Sequence, residues 1–267
     1  MKVEYSDNGR RPTKKNKKRK TRLKPWFLAS VALIIVVTVT VTLMLTVFFN
    51  VASVKVVGSS IYSENAIISA SGIMDGDNII RLSKDDIAEN IIKKLPYVKS
   101  VTVSKALPDT VGIKVTPATE CYTVLTDDGF FVADKDYKVL RSVSEKSEQL
   151  VSVVGLNVKA PVAGNMLTFN DKQQRDALSR LVDLCDAHNF ELKYIDVESL
   201  VDIRFVINGK LYIKLGSYTE MAGKLAHLNE MLKSVDENVS ASISLEDWSH
   251  NNKKAVLKYE DTTQFWK

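Results

Sequence analysis

Two cysteines and three histidines in 267 residues, with no glycine-rich loop, leave few ways to build a catalytic or metal centre. His188, His227 and His250 lie far apart, and none sits in a His-x-x-His or His-Glu-x-x-His pattern that would set two ligands on one helix face. Neither Cys121 nor Cys185 has a histidine nearby to activate it, and no Gly-x-Ser-x-Gly elbow or supported Ser-x-x-Lys constellation occurs. The acidic clusters Asp75-Gly76-Asp77-Asn78, Asp127-Asp128 and Asp134/Asp136 fall in segments that read as turns, where Asp bonds its own backbone, and calcium-loop spacing is absent. Gly58, Gly72 and Gly76 do not form a loop that would cradle phosphate. The expectation is a chain with no catalytic, cofactor-binding or metal site, no small-molecule substrate and no enzyme activity.

What the chain does have is a long apolar run. Trp26 to Phe49 are 24 consecutive uncharged residues, preceded by Arg10, Arg11, Lys14, Lys15, Lys17, Lys18, Arg19, Lys20, Arg22 and Lys24 without an intervening acid. A helix of that length covers roughly 36 Å, enough for a hydrocarbon core of about 30 Å. A cleaved secretory signal has a shorter apolar region of about 7–15 residues, so the run reads as an uncleaved anchor. Valine and threonine favour strand in water, but in a bilayer the backbone must satisfy its own hydrogen bonds, and helix results. Lys/Arg excess marks the cytoplasmic side. The expected arrangement is therefore single-pass type II, with residues 50–267 extracytoplasmic. Arg19, Lys20, Arg22 and Lys24 set the topology and face anionic lipid, while Trp26, Phe48 and Phe49 sit at the interfaces.

The positive net charge belongs to the tail. Residues 1–25 hold 11 Lys or Arg against two acids, so the remainder carries 26 basic and 30 acidic residues. No basic stripe is left in the body for a nucleic-acid backbone. Both cysteines read as buried free thiols, Cys185 on a helix face with Leu178, Leu181 and Val182.

Alternation over Val51–Val57 predicts a strand; Ser63 caps a helix over 64–70 that ends at Gly72. Ser83 and Asp86 resemble a capping box before Ile87, Ile91 and Leu95, which share one face, and Pro96 ends that helix. Val98–Ser104 and Val111–Val115 form a hairpin around Leu107-Pro108-Asp109. Ile87, Ile91 and Leu95 are expected on a sheet face of Val54, Val56, Val101 and Val103. From Cys121 a meander follows, then strand LVSVVGL, a helix over 171–187, and strands FELKYIDV, VDIRFVI and LYIKL, the last two joined by Asn208-Gly209. A helix over 219–233 and strands VSASISL and KKAVLKY complete an α+β body.

The segments VKVVGSSIYSENAIISASGIMDGDNIIRL and KKLPYVKSVTVSKALPDTVGIKV resemble the POTRA module of the FtsQ/DivIB bacterial cell-division proteins. With the tail and span, the resemblance implies a basic cytoplasmic tail (1–25), a transmembrane helix (26–49), a POTRA-type βααββ domain (50–118), a mixed β-rich α+β domain (119–260) and a C-terminal tail (261–267). Three differences from the family pattern stand out: Thr116-Pro117-Ala118-Thr119-Glu120 stands where the family has a Glu-Arg pair before a Pro, Tyr137 occupies a turn position where it has Gly, and Ser244-Leu245-Glu246 stands where it has Asp-Leu-Arg. The resemblance implies a non-catalytic scaffold at the division septum, whose partners are FtsB (DivIC), FtsL and septal wall synthases. The alternative is an anchored exported wall enzyme or sensor. Carried over to this chain, partner binding falls on Leu245, Glu246, Trp248, Lys253, Lys254, Ala255, Leu257 and Tyr259. Trp248, set among polar residues, is expected as an exposed interface anchor.

Overall fold

The computed structural model describes residues 24–58, 60–236 and 239–266. The tail residues up to 23, including Arg19, Lys20 and Arg22, lie outside the described residues. The described chain divides into two compact units, one ending at Phe49 and a second beginning at Asn50.

Helix α1, Pro25–Val47, begins with proline in its first turn, where a missing N–H costs nothing. Four of its five hydroxyls are satisfied internally: Thr38, Thr42 and Thr46 donate to the carbonyls of Ile34, Thr38 and Thr42 at 2.8–2.9 Å, and Ser30 to that of Trp26 at 3.0 Å. This bonding one turn back allows a threonine-rich segment to present an apolar exterior. The helix is long and apolar enough to cross a membrane, and none of it is buried by protein. Lys24 is exposed, as are the rings of Trp26 and Phe48; Phe49 is half-buried.

The second unit opens with β1 (Ser53–Val57), α2 (Glu64–Ser71), α3 (Lys84–Lys94), β2 (Val98–Ala106) and β3 (Thr110–Pro117), with sheet order β1-β3-β2. Ser63 and Ser83 cap the helices, accepting from the N–H groups of Ala66 and Asp86, and Gly72 closes α2 at φ 76°. Register places Val54 opposite Val111, Val56 and Val103 on either side of Ile113, and Val101 opposite Val115. The four valines expected under the helix do share one face. The deepest positions, however, belong to the central strand, where Val111 and Ile113 are fully buried with Ile91 of α3. Leu95 corrects the expectation: it is the half-buried cap residue, because the chain turns toward Pro96 before another helical turn can bring it over the sheet.

The rest builds one sheet of nine strands: β4 (Tyr122–Thr126), β5 (Gly129–Ala133), β6 (Val139–Val143), β7 (Val151–Val154), β8 (Leu192–Asp196), β9 (Ile203–Ile207), β10 (Leu211–Gly216), β11 (Ala241–Ser244) and β12 (Val256–Tyr259). Their order is β12-β11-β10-β9-β8-β7-β4-β5-β6. The parallel pairs β7/β8 and β10/β11 require crossovers, supplied by α4 (Lys172–Ala187) and α5 (Met221–Leu232). Leu178, Leu181 and Cys185 of α4 and Leu225 and Leu228 of α5 are fully buried against Ile195, Phe205, Ile213 and Ile243. Burial raises the Cys185 thiol to about 12, which keeps it a packing group at neutral pH. Asn208 (φ 54°) and Gly209 (φ 66°) make the tight hairpin turn that their sequence announced.

The two sheets meet at a polar junction. Lys138, 4 % exposed, sends its ammonium to the carbonyls of Ile92 (2.9 Å), in the last turn of α3, and Val98 (2.7 Å), at the start of β2. Gly164, at φ 89°, approaches the same helix end so closely that a Cβ would lie 2.2 Å from the Lys93 carbonyl oxygen. Beside them Arg141 donates to both Glu120 oxygens (2.7 and 3.2 Å), the Tyr97 hydroxyl donates to the same carboxylate, and Lys99 pairs with Asp136 at 2.8 Å. Arg141 holds the Glu120 carboxyl below its usual range.

Two stability outcomes follow. Ile91→Ala should cost about 2–5 kcal/mol in denaturant unfolding of the purified chain, and Leu95→Ala clearly less; equal losses would contradict the packing described. Lys138→Met keeps the aliphatic stem but strips two buried carbonyls of their donor, and should lower stability by about 2 kcal/mol or more. Wild-type stability of that variant would show that the junction does not rest on the ammonium.

Candidate partner-binding edge

Strand β12 is one rim of the nine-stranded sheet, paired only with β11. Its register matches Ala241 with Tyr259, Ser242 with Lys258, Ile243 with Leu257 and Ser244 with Val256. The Glu260 N–H donates to the Ser240 carbonyl across this pair (3.3 Å). Antiparallel ladders alternate, so Lys258 and Val256 also turn their main-chain groups toward β11. Leu257 and Tyr259 then point theirs outward, a ready template for another strand.

Side chains around this edge divide by depth. Ala255 and Leu257 are half-buried against the main core, while Val256 and Tyr259 are 51 % and 64 % exposed. Lys253 and Lys254 are exposed, and Lys254 reaches Asp247 at 2.8 Å. Glu246 accepts from the Ser244 hydroxyl at 2.7 Å. Glu260 is held by Lys258 and by the Ser242 hydroxyl, which together keep its carboxyl below the usual range. After β12 the chain packs back on the sheet. Thr262 is fully buried and donates to the Lys210 carbonyl (2.8 Å), and Phe265 stacks on Tyr212 with centroids 4.8 Å apart. The region set apart by sequence as a tail thus fastens the end of β12.

Leu245 and Trp248 do not belong to this surface. Leu245 is fully buried, and its N–H donates to the Lys214 carbonyl (2.8 Å), so it extends the interior of the sheet. Trp248 is only 7 % exposed. The Trp248 N–H donates to the Leu245 carbonyl in a turn that folds the indole under α5, near the His227 ring and over Gly223. A Cβ at Gly223 would lie 2.5 Å from the indole. The expectation of an exposed anchor failed because the polar neighbours of Trp248 occupy the outside of that turn. A glycine amid the apolar positions of α5 was the available sign that a large ring enters there.

Among the described residues, no group of three or more His, Cys, Asp or Glu side chains is placed to hold a metal ion. His188 lies against Phe190 and His227 near Trp248, while His250 is exposed.

Residues 49–116 match the FtsQ-type POTRA domain. The chain is 27 % identical over 223 residues to the cell division protein DivIB of Clostridium botulinum strain Hall, covering 82 % of this chain and 85 % of that one. It is 33 % identical over 89 residues to the cell division protein FtsQ of Corynebacterium glutamicum, covering 33 % and 40 % of the two chains. It is also 21 % identical over 229 residues to FtsQ of Streptomyces coelicolor, covering 85 % and 87 %. The similarity to proteins named DivIB spans more than four fifths of the chain, so it reaches beyond the FtsQ-type POTRA unit into the long sheet, and the chain is similar along most of its length to the cell-division proteins DivIB and FtsQ.

Proposed function

We propose that this chain is a non-catalytic, bitopic scaffold of the division machinery that offers the β12 edge to a strand of an FtsB (DivIC)- or FtsL-type membrane protein. The observation that carries the reading is the open edge, with outward main-chain groups at Leu257 and Tyr259 beside exposed Val256 and Tyr259. Main-chain pairing would supply affinity and the flanking side chains specificity. Lys253 and Lys254 attract acidic residues on the partner, and Glu246 a basic one. The remaining parts serve position. The span holds the body at the cell membrane, the basic tail keeps the N-terminus cytoplasmic against anionic lipid, and the extracytoplasmic body links to septal wall synthases.

The topology has a direct measurement. Protease added to intact protoplasts should remove the body and leave a fragment containing the tail and span; full protection of the chain would reverse the orientation. The edge is tested by Tyr259→Pro. Proline deletes an N–H that faces away from β11, so the fold should stand while strand addition fails. Affinity for the purified FtsB/FtsL pair should fall at least about tenfold, roughly 1.4 kcal/mol, with an unchanged melting temperature. Wild-type binding by the variant would place the partner elsewhere.

A further inference from the structure

Three large apolar side chains crowd one end of the three-stranded sheet without protein cover: Met74 (72 % exposed), Ile80 (50 %) and Leu107 (61 %). That end is where β1 and β3 begin and β2 finishes, as Ser53 pairs with Thr110 and Ala106 with Thr110. It is also where the unit's chain enters. Asn50 bridges Asn78, the Val51 N–H donates to the Asp77 carbonyl (2.8 Å), and the Ala52 N–H to the Asp109 carbonyl (2.9 Å).

These side chains are held out by ordered turns. The Ile80 N–H donates to the Asn78 side chain (3.1 Å), and the Arg81 N–H to the Asn78 carbonyl (3.0 Å). The Lys105 ammonium gathers the carbonyls of Ile80 and Leu82. Asp77 receives the Met74 N–H (2.9 Å), and Asp109 receives the Thr110 hydroxyl (2.9 Å). Asp77 and Asp109 serve its turns, and beside the exposed Arg81 the surface presents the three apolar side chains. It offers apolar bulk on a fixed backbone.

We infer that this end of the βααββ unit rests on the outer leaflet, with Met74, Ile80 and Leu107 entering the boundary between headgroups and acyl chains. The inference rests on the reading of residues 26–49 as a membrane span. Only three residue steps separate Val47, the last residue of α1, from Asn50, at most about 11 Å of extended chain. Residues hydrogen-bonded around Asn50 are therefore kept at the depth where apolar side chains partition into an interface. The chain that enters this sheet end leads directly from the span, and that continuity selects lipid over a protein as the occupant.

The test uses the full chain in phosphatidylcholine vesicles, with and without bromine atoms on the acyl chains as fluorescence quenchers. Trp26→Phe removes the native tryptophan in the span; Met74→Trp, Ile80→Trp or Leu107→Trp is then added singly, and Val201→Trp, 72 % exposed between β8 and β9, serves as reference. Brominated lipid should dim each added tryptophan at the three positions by about half and leave Val201→Trp unchanged, including in about 0.5 M salt, because insertion is apolar. Equal dimming at Val201→Trp, or none at the three positions while Trp26 of the unsubstituted chain is dimmed, overturns the inference and leaves the span intact. Absence of dimming at Trp26 itself overturns both.

Discussion

A lysine ammonium buried between two main-chain carbonyls ties the two sheets of the body into one object. Among the described residues no carboxylate pairs with the Lys138 Nζ, which satisfies the Ile92 and Val98 carbonyls instead. Burial pushes its ammonium below the usual lysine range, which is the cost of placing a cation there. The return is positional. The Ile92 carbonyl belongs to the last turn of α3, where helix dipoles concentrate negative partial charge, so the cation and the helix end suit each other. With Gly164 touching the Lys93 carbonyl on the same turn, neither sheet can rotate about the other without uncovering unsatisfied polar groups. Apolar contact alone would tolerate sliding; paired main-chain acceptors do not.

The same economy appears at Lys224, on the core-facing side of α5, whose ammonium donates to the Leu215 and Ser217 carbonyls at 2.9 Å. It secures the turn that follows β10 beneath the crossover helix. Both lysines show why charge in this sequence is a poor guide to exposure. A long aliphatic stem can be buried if its end finds carbonyls left over by a helix or strand terminus.

Much of the local structure was legible because it depends on neighbours in sequence. Ser63, Ser83, Gly72 and Asn208-Gly209 do in the structure what their positions announce, and alternation located the strands. Pairing over long distances was less so. A meander after Cys121 suggests antiparallel neighbours throughout, but β4 pairs in parallel with β7, which returns beside it after the β5–β6 excursion, and β7 pairs in parallel with β8 through the α4 crossover. Tyr137 is a further case. It adopts φ 67°, a conformation normally left to glycine, yet its ring stacks on Tyr122 and meets Phe169 edge-on, and its hydroxyl contacts Ser179. Burial of an aromatic ring, about 1.5–3 kcal/mol, is enough to offset a left-handed backbone costing about 1–3 kcal/mol. Only the tertiary structure reveals that compensation. At the open rim a strand is expected from sequence over Ala255–Tyr259 and β12 runs Val256–Tyr259, whereas Leu245 and Trp248, expected at the surface, are buried.

An open edge is also a hazard, and β12 carries the features that limit it. It is four residues long, and Lys253, Lys254 and Lys258 lie on or beside it. A second copy could add only a four-residue ladder, across a rim where Lys253 is exposed beside the Lys254–Asp247 and Lys258–Glu260 pairs, and so few bonds supply little self-association. A partner with acidic side chains would, under the proposed reading, be drawn by the exposed Lys253 ammonium. The half-buried Leu257 and exposed Tyr259 lie on one face of the strand by alternation, so an added strand with apolar residues in register could extend the existing core cluster. Under the proposed reading, shortness and a partly finished apolar face together make an edge that disfavours its own copy and admits a complement.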